Sequence, residues 1–166
     1  MKNKSTLFLV QAAAIGAIYV VLTLVFAPLS FGEVQVRFSE ALTILPFFTP
    51  AAIPGLFVGC IIANFLGGAL PVDILFGSIA TLIGAVFTYK LRKSSKFLAP
   101  IPPILANTVI VPFVLYYGYG INLPIPLMMA TVGIGEILSC GVLGMILLGA
   151  LSKYGSHIFG NRPAFS

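Results

Sequence analysis

Charge is what this sequence has least of. Nine basic and four acidic residues, 13 in all, make up 8% of its 166 residues, while 59% are hydrophobic. Soluble domains carry about 25% charged residues, so a water-wetted globular domain is excluded and the chain reads as an integral membrane protein. A bilayer crossing takes roughly 20 apolar residues, which limits the chain to six crossings joined by short loops. Residues 1–166 therefore read as a single membrane domain, with no room for a second, soluble one. The two cysteines, Cys60 and Cys140, stand inside apolar runs without metal-ligand spacing; they read as small packing residues rather than a disulfide or a site. The lone histidine, His157, has no metal partners near it in the chain. No GxxxxGK[ST] loop, HExxH pair or GxSxG elbow is present, which excludes the nucleotide-binding, zinc-peptidase and serine-hydrolase chemistries those motifs carry.

What is present is a succession of apolar runs, expected as six helices over residues 5–29, 38–48, 50–66, 73–89, 98–117 and 125–152. Lys2 and Lys4 ahead of the first run imitate a signal peptide, but the run exceeds the roughly 7 to 15 residues of an h-region and no small-x-small cleavage site follows. The second run is short for a crossing unless the bilayer thins around it. Thr49-Pro50 separates it from the third, because a residue before proline is pushed out of the helical region.

The basic residues stand at the ends of the runs and read as topology signals rather than a nucleic-acid surface. With both termini in the cytoplasm, Lys2, Lys4, Lys90, Arg92, Lys93, Lys96, Lys153 and Arg162 fall inside and Arg37 alone outside. The same arrangement puts Glu33, Glu40 and Asp73 near the outer surface. Glu136 lies about 16 Å down the last helix from its outer end at 1.5 Å per residue. Four carboxylates then share the outer half with one arginine, a pocket suited to cations or to ligands rich in N–H donors.

Individually, each polar group has a routine alternative. Glu136, in "ATVGIGEILSCGVLG" with Gly133 and Cys140 on its helical face, either binds a ligand or pairs with a neighbouring polar side chain inside the bundle. Asn64 and Asn107 are intramembrane amides that serve as ligand contacts or as interhelical glue. Asp73, two residues after Pro71, suits the free N–H groups of a first helical turn. Ser78 and Thr81 can bond their own helix. In the polar stretch "FGEVQVRFSEALTILP", residues 31–46, Ser39 reads as an N-cap, Glu40 as a first-turn acid, and Glu33 with Arg37 as a solvent-exposed ion pair of little energetic weight. That account leaves unexplained why this loop alone is so polar; residues 31–38 read as a lid over the pocket and Ser39-Glu40 as its hinge. On the first helix Ala12, Ala13, Gly16 and Ala17 form overlapping small-xxx-small pairs, for packing inside the bundle or against a partner. Tyr116, Tyr117 and Tyr119 read as an interfacial belt, with one able to stack on a flat ligand.

The stretches "VQVRFSEALTILP" (34–46), "NFLGG" and "VDILFGSIATLIGA" (64–85), with "AAAIGA" (12–17), resemble the queuosine-precursor transporters, substrate-binding S-components of energy-coupling factor (ECF) transporters. The likeness is firmest from the first helix through the fourth; the last two match by length and character. It implies an all-α, six-helix S-component-like bundle that captures a 7-deazaguanine in an outward pocket. It also implies a transmembrane scaffold subunit and two cytoplasmic ATPases as partners, so that ATP is used on other chains and this one carries no cofactor or metal. Ala12, Ala13, Gly16 and Ala17 would face the scaffold. For the ligand, Glu40 and Glu136 would accept from the guanine-like edge and from an aminomethyl cation, in either order. Asn64, Asp73 and Asn107 would complete the hydrogen bonds, and Arg37 would fix the loop or the ligand carbonyl.

Three other readings stand beside it. An S-component for another vitamin or nucleobase would share the fold. A stand-alone ion-coupled carrier would use Glu136 and Asp73 as a proton relay, without the inverted repeat such carriers often show. An intramembrane enzyme would need that pair as acid and base, with no nucleophile or metal set in support.

Overall fold

The computed structural model describes residues 4–30 and 36–159, with backbone alone at residues 29, 30 and 154–159. Lys2, Glu33, Arg162, most of the expected lid and the His157 side chain lie outside the described residues. The described chain is helical. Helix α1 (Lys4–Val25) is followed by a single turn, α2 (Ala27–Ser30), and a 3-10 helix (Phe38–Phe47). Then come α3 (Ala52–Leu66), α4 (Pro71–Leu91), a short 3-10 turn (Lys96–Leu98) and α5 (Ile101–Tyr117). The last run comprises α6 (Ile125–Glu136), a π-helical segment (Ile137–Leu143) and α7 (Gly144–Phe159).

Four stretches are long and apolar enough to cross a bilayer: Lys4–Val25, Pro71–Leu91, Lys96–Tyr117 and Ile125–Lys153. The 3-10 helix and α3 are shorter apolar helices. At about 2.0 Å per residue the ten-residue 3-10 helix reaches about 20 Å, a third farther than the same residues would as an α-helix. Fifteen residues of α3 reach about 22 Å. Both fall short of a hydrocarbon core about 30 Å thick, and both are packed within the bundle.

Burial follows the helical period. On α1 only Ile15, Tyr19 and Thr23, spaced by four, are buried, while Leu9, Val10, Ile18, Val21 and Val25 are exposed on the lipid-facing side. In α3 the buried set is Ala52, Gly55, Leu56, Gly59, Cys60, Ala63 and Asn64, one stripe at three- and four-residue spacing. Lipid tails are as apolar as leucine, so helix association relies on close fit. Accordingly α1 and α3 touch backbone to backbone: a Cβ at Gly55 would stand 2.6 Å from the Ala12 carbonyl oxygen, and one at Gly59 3.0 Å from Gly16 Cα. Helices α4 and α5 do the same at Gly84, where a Cβ would meet Pro103 Cα at 2.7 Å. The 3-10 helix lies in the middle, burying Leu42, Ile44, Leu45 and Phe47 against α1, α3, α4 and α7.

Several boundaries depart from those read in the sequence. The first helix breaks at Phe26, one residue before α2 with its Pro28, whose ring supplies no N–H to continue the ladder. The second segment is 3-10 rather than α, and its N-cap is Arg37, with no side-chain cap bond. Ser39 is therefore not a cap: it is fully buried and its hydroxyl accepts from Thr23 Oγ1 at 2.7 Å. Arg37 is buried too, which overturns the solvent-exposed ion pair. The break at Thr49-Pro50 stands, and there Thr49 donates to Gln11 Oε1 on α1 at 3.0 Å. The small-residue face of α1 divides, with Ala12 and Gly16 packed on α3 and Ala13 and Ala17 exposed.

Candidate functional site

A tract of polar side chains runs through this apolar bundle, and the two irregular helical segments supply its centre. Glu40 stands in the first turn of the 3-10 helix. Glu136 is the last residue of α6, where the backbone passes into π geometry. Extended 3-10 runs and π segments are uncommon, and both recur at functional sites. Packing of the two segments against each other brings residues about a hundred positions apart into contact: oxygens of Glu40 and Glu136 and the Cys140 sulfur all lie within 4.8 Å of one another. All three residues are buried.

Each carboxyl is held from a different helix. Tyr19 Oη, from α1, donates to Glu40 Oε1 at 2.5 Å. Asn107 Nδ2, from α5, donates to Glu136 Oε1 at 3.0 Å, and Cys140 Sγ donates to Glu136 Oε2 at 3.2 Å. The Cys140 thiol also lies 3.4 Å from the Glu40 carbonyl oxygen and 3.3 Å from Thr43 Oγ1, while Thr43 Oγ1 donates to that same carbonyl at 2.6 Å. Glu40 Oε2 is the exception. It is fully covered and has no hydrogen-bond partner among the described residues. A buried acceptor left unmatched costs about 1–3 kcal/mol, more when charged, so this oxygen marks spare acceptor capacity at the centre of the tract.

The tract continues through Cys60, which lies within electrostatic reach of Glu40 and Tyr19 and takes 3.5 Å contacts from Asn64 Nδ2 and Thr81 Oγ1. Asn64 Oδ1 is a second covered, unmatched acceptor. Gly77 separates Asn64 from Asp73: a Cβ there would stand 3.3 Å from Asn64 Nδ2 and 3.1 Å from Asp73 Oδ1. Asp73 Oδ2 in turn accepts from Tyr119 Oη at 3.0 Å, and the same hydroxyl accepts from Leu70 N at 3.2 Å. Tyr119 stands in the connection after α5, outside the spans. Burial first, then the nearby Asp73 charge, raise its phenol above the ordinary value, so it remains a donor at neutral pH. Arg37 interacts electrostatically with Tyr19, Cys60, Asp73 and Glu40, at the same end of the bundle as Asp73.

The six residues singled out from the sequence thus fall into two adjoining groups: Glu40, Glu136 and Asn107 at the centre, and Asn64, Asp73 and Arg37 towards one end. Glu136 partners Asn107 and Cys140 rather than Asp73, which is engaged by Tyr119. Ser78 and Thr81 do bond their own helix, at Ile74 O and Gly77 O. Tyr116 and Tyr117 pack edge-on with ring centres 5.0 Å apart, and Tyr117 is exposed, as an interfacial belt requires. Cys60 and Cys140 are free, fully buried thiols, as read, and Cys140 in addition donates to Glu136.

Tyr19 and Thr43 were not anticipated. A signal for Tyr19 exists: it stands mid-way along the first span, far from either interface, where a buried phenol must find an acceptor. Nothing in the sequence says which one, because Glu40 is 21 positions away.

Chemically the tract offers hydrogen-bond acceptors. A carboxylate has about four acceptor positions; Glu40 accepts from Tyr19 on Oε1, has Asn107 within reach, and keeps Oε2 without a hydrogen-bond partner among the described residues. A planar ligand with adjacent N–H donors, or a small cation, matches that set. Glu40, Glu136 and Cys140 are spaced as metal ligands are, but the thiol and both oxygens of Glu136 are engaged with protein groups.

A family model described as "QueT transporter" matches residues 9–153. The "Queuosine precursor transporter QueT" of Lactococcus lactis subsp. cremoris (strain MG1363) is 36% identical over 85 residues, covering 50% of each chain. The alignment thus spans half the length of that curated relative. No solved structure matches.

Proposed function

The chain belongs to the QueT transporter family, a multi-pass membrane protein, and from that premise we propose that it captures a queuosine precursor, a 7-deazaguanine such as the aminomethyl form, from outside a bacterial cell. The observation that carries this reading is the buried Glu40–Glu136 pair with its unmatched oxygen. A guanine-like edge offers N1–H and an exocyclic amino group side by side, which one carboxylate accepts bidentately. The aminomethyl cation suits the second carboxylate through a charge-assisted bond. Asn64, with its own free acceptor, stands in the same tract. Hydrogen bonds from Tyr19, Asn107 and Cys140 engage Glu40 Oε1 and both Glu136 oxygens before the ligand arrives, and ligand donors take up Glu40 Oε2 and the remaining acceptor positions.

In this proposal the bundle is oriented with both termini in the cytoplasm, because the basic residues then collect inside, and the Asp73–Tyr119 end opens outward. Energy comes from ATP hydrolysed by two partner ATPases, coupled through a transmembrane scaffold that docks on α1. Support for that contact is the exposure of Ala13 and Ala17 beside the packed Ala12 and Gly16. Titration calorimetry of the purified chain tests the ligand assignment. Aminomethyl 7-deazaguanine should bind and riboflavin should not, and a Glu40→Gln, Glu136→Gln double variant should lose at least tenfold in affinity. Preference for riboflavin, or undiminished affinity in the double variant, overturns it.

The close pairing of two buried carboxyls also favours, as a second reading, a proton-coupled carrier in which Glu40, not Asp73, partners Glu136. Uptake by this chain alone in liposomes, driven by a proton gradient without ATP, would select that reading.

A further inference from the structure

Helices α4 and α5 leave an apolar groove of about 400 Å³ between them on the lipid-facing side, lined among others by Ile83, Phe87, Leu91, Ile101, Leu105 and Val109. From Ile101 to Val109 it runs about 12 Å along α5, most of one leaflet's share of a hydrocarbon core about 30 Å thick. Its two walls are joined by the most basic segment of the described chain. Leu91 ends one wall and Ile101 begins the other; Arg92, Lys93 and Lys96 lie between, and Lys90 immediately precedes.

One contact sets a cation at the groove's end, and two further observations describe the charge of the adjoining segment. Lys90 Nζ stands 5.2 Å from the centre of the Phe87 ring, itself part of the wall. The Arg92 guanidinium lies 3.5 Å over the Tyr89 ring, and its Nη1 is covered without a hydrogen-bond partner among the described residues. No Asp or Glu occurs between Asp73 and Glu136, so no neighbouring carboxylate in this stretch balances the four charges. A second groove, of about 330 Å³, continues the first past Val109 and Ile110 to Tyr117, and its lining includes no cation. The cleft is therefore lined by apolar side chains throughout, with a run of four basic residues joined to one end, the polarity of a lipid with an anionic head.

We infer that the α4–α5 groove binds an anionic phospholipid, with an acyl chain between the helices and its phosphate against Lys90, Arg92, Lys93 and Lys96. Basic residues near a membrane surface attract anionic lipids, and basic pockets between spanning helices hold their head groups. The groove's lining includes neither Glu40, Glu136 nor a residue that hydrogen-bonds them, and the inference does not depend on what the chain transports.

Native mass spectrometry of the purified full chain tests it, with phosphatidylglycerol and phosphatidylcholine of identical acyl chains offered together. Phosphatidylglycerol should be retained about tenfold over phosphatidylcholine, and Lys90→Gln, Arg92→Gln, Lys93→Gln together should bring the two to parity. Leu105→Trp, which fills the groove from an exposed position, should lower retention of both and serves if the triple variant does not fold. Glycerol phosphate in excess should not compete. Equal retention of the two lipids by the unaltered chain overturns the inference. So does an unchanged preference after both alterations, or competition by glycerol phosphate, which would make the site one for soluble phosphate.

Discussion

Replacing Tyr19 by phenylalanine removes one hydroxyl and nothing else, yet it strips Glu40 Oε1 of its phenol donor while Oε2 already has no hydrogen-bond partner among the described residues. Two magnitudes bracket the cost. Interhelical hydrogen bonds between neutral groups in membrane proteins average about 0.6 kcal/mol, whereas hydrogen bonds to charged groups contribute about 1.5–3 kcal/mol. Tyr19 is 1% exposed and so is Glu40, so water does not take the hydroxyl's place. If Glu40 stands as a carboxylate ready to accept from a ligand, the larger figure applies. For a chain of this length 1 kcal/mol shifts the melting temperature by roughly 2–4 °C. Tyr19→Phe should accordingly lower the melting temperature by at least about 3 °C in detergent. Adding Glu40→Gln should recover part of that loss, since the groups are directly coupled and their effects are not additive. A shift under about 1 °C, or strictly additive single changes, would refute the idea that Tyr19 holds an otherwise unmatched carboxylate.

Gly55→Ala should destabilise the fold by about 1–3 kcal/mol through overpacking, because the new methyl meets the Ala12 carbonyl oxygen at 2.6 Å; thermal melts of the purified variant measure it. Ala13→Leu with Ala17→Leu, on the exposed half of the same α1 face, should leave the melt within about 1 °C yet abolish co-purification with the scaffold and ATPase subunits proposed above. Cys60 and Cys140 are both fully buried, so maleimide should label neither in the folded chain and both after unfolding in dodecyl sulfate, as intact-mass spectrometry would read.

The long spans were legible because lipid imposes one constraint over many residues, and α4 and α5 carry it as unbroken apolar length. The centre of the site was half legible. Glu40 and Glu136 stand out in an apolar chain wherever they occur, and Asn107 and Asn64 stand out for the same reason. What pairs with what was not legible: Tyr19 and Glu40 meet only because Gly16, Gly55 and Gly59 let α1 and α3 close on each other around the 3-10 helix. Cys140 reads as packing because a thiol in an apolar run usually is; its place on the Glu136 face is legible from the i, i+4 spacing, but its approach to Glu40, 100 positions away, is not. Ser39 has the composition of a cap, but tertiary contact with Thr23 takes its hydroxyl instead.

The measurement closest to the central claim is a structure of the chain with aminomethyl 7-deazaguanine bound. The account predicts a ligand N–H donor within about 3.2 Å of Glu40 Oε2, the acceptor that is unmatched without it, and a second donor on Glu136. A ligand seated elsewhere, with Glu40 and Glu136 still bonded only to Tyr19, Asn107 and Cys140, would contradict it.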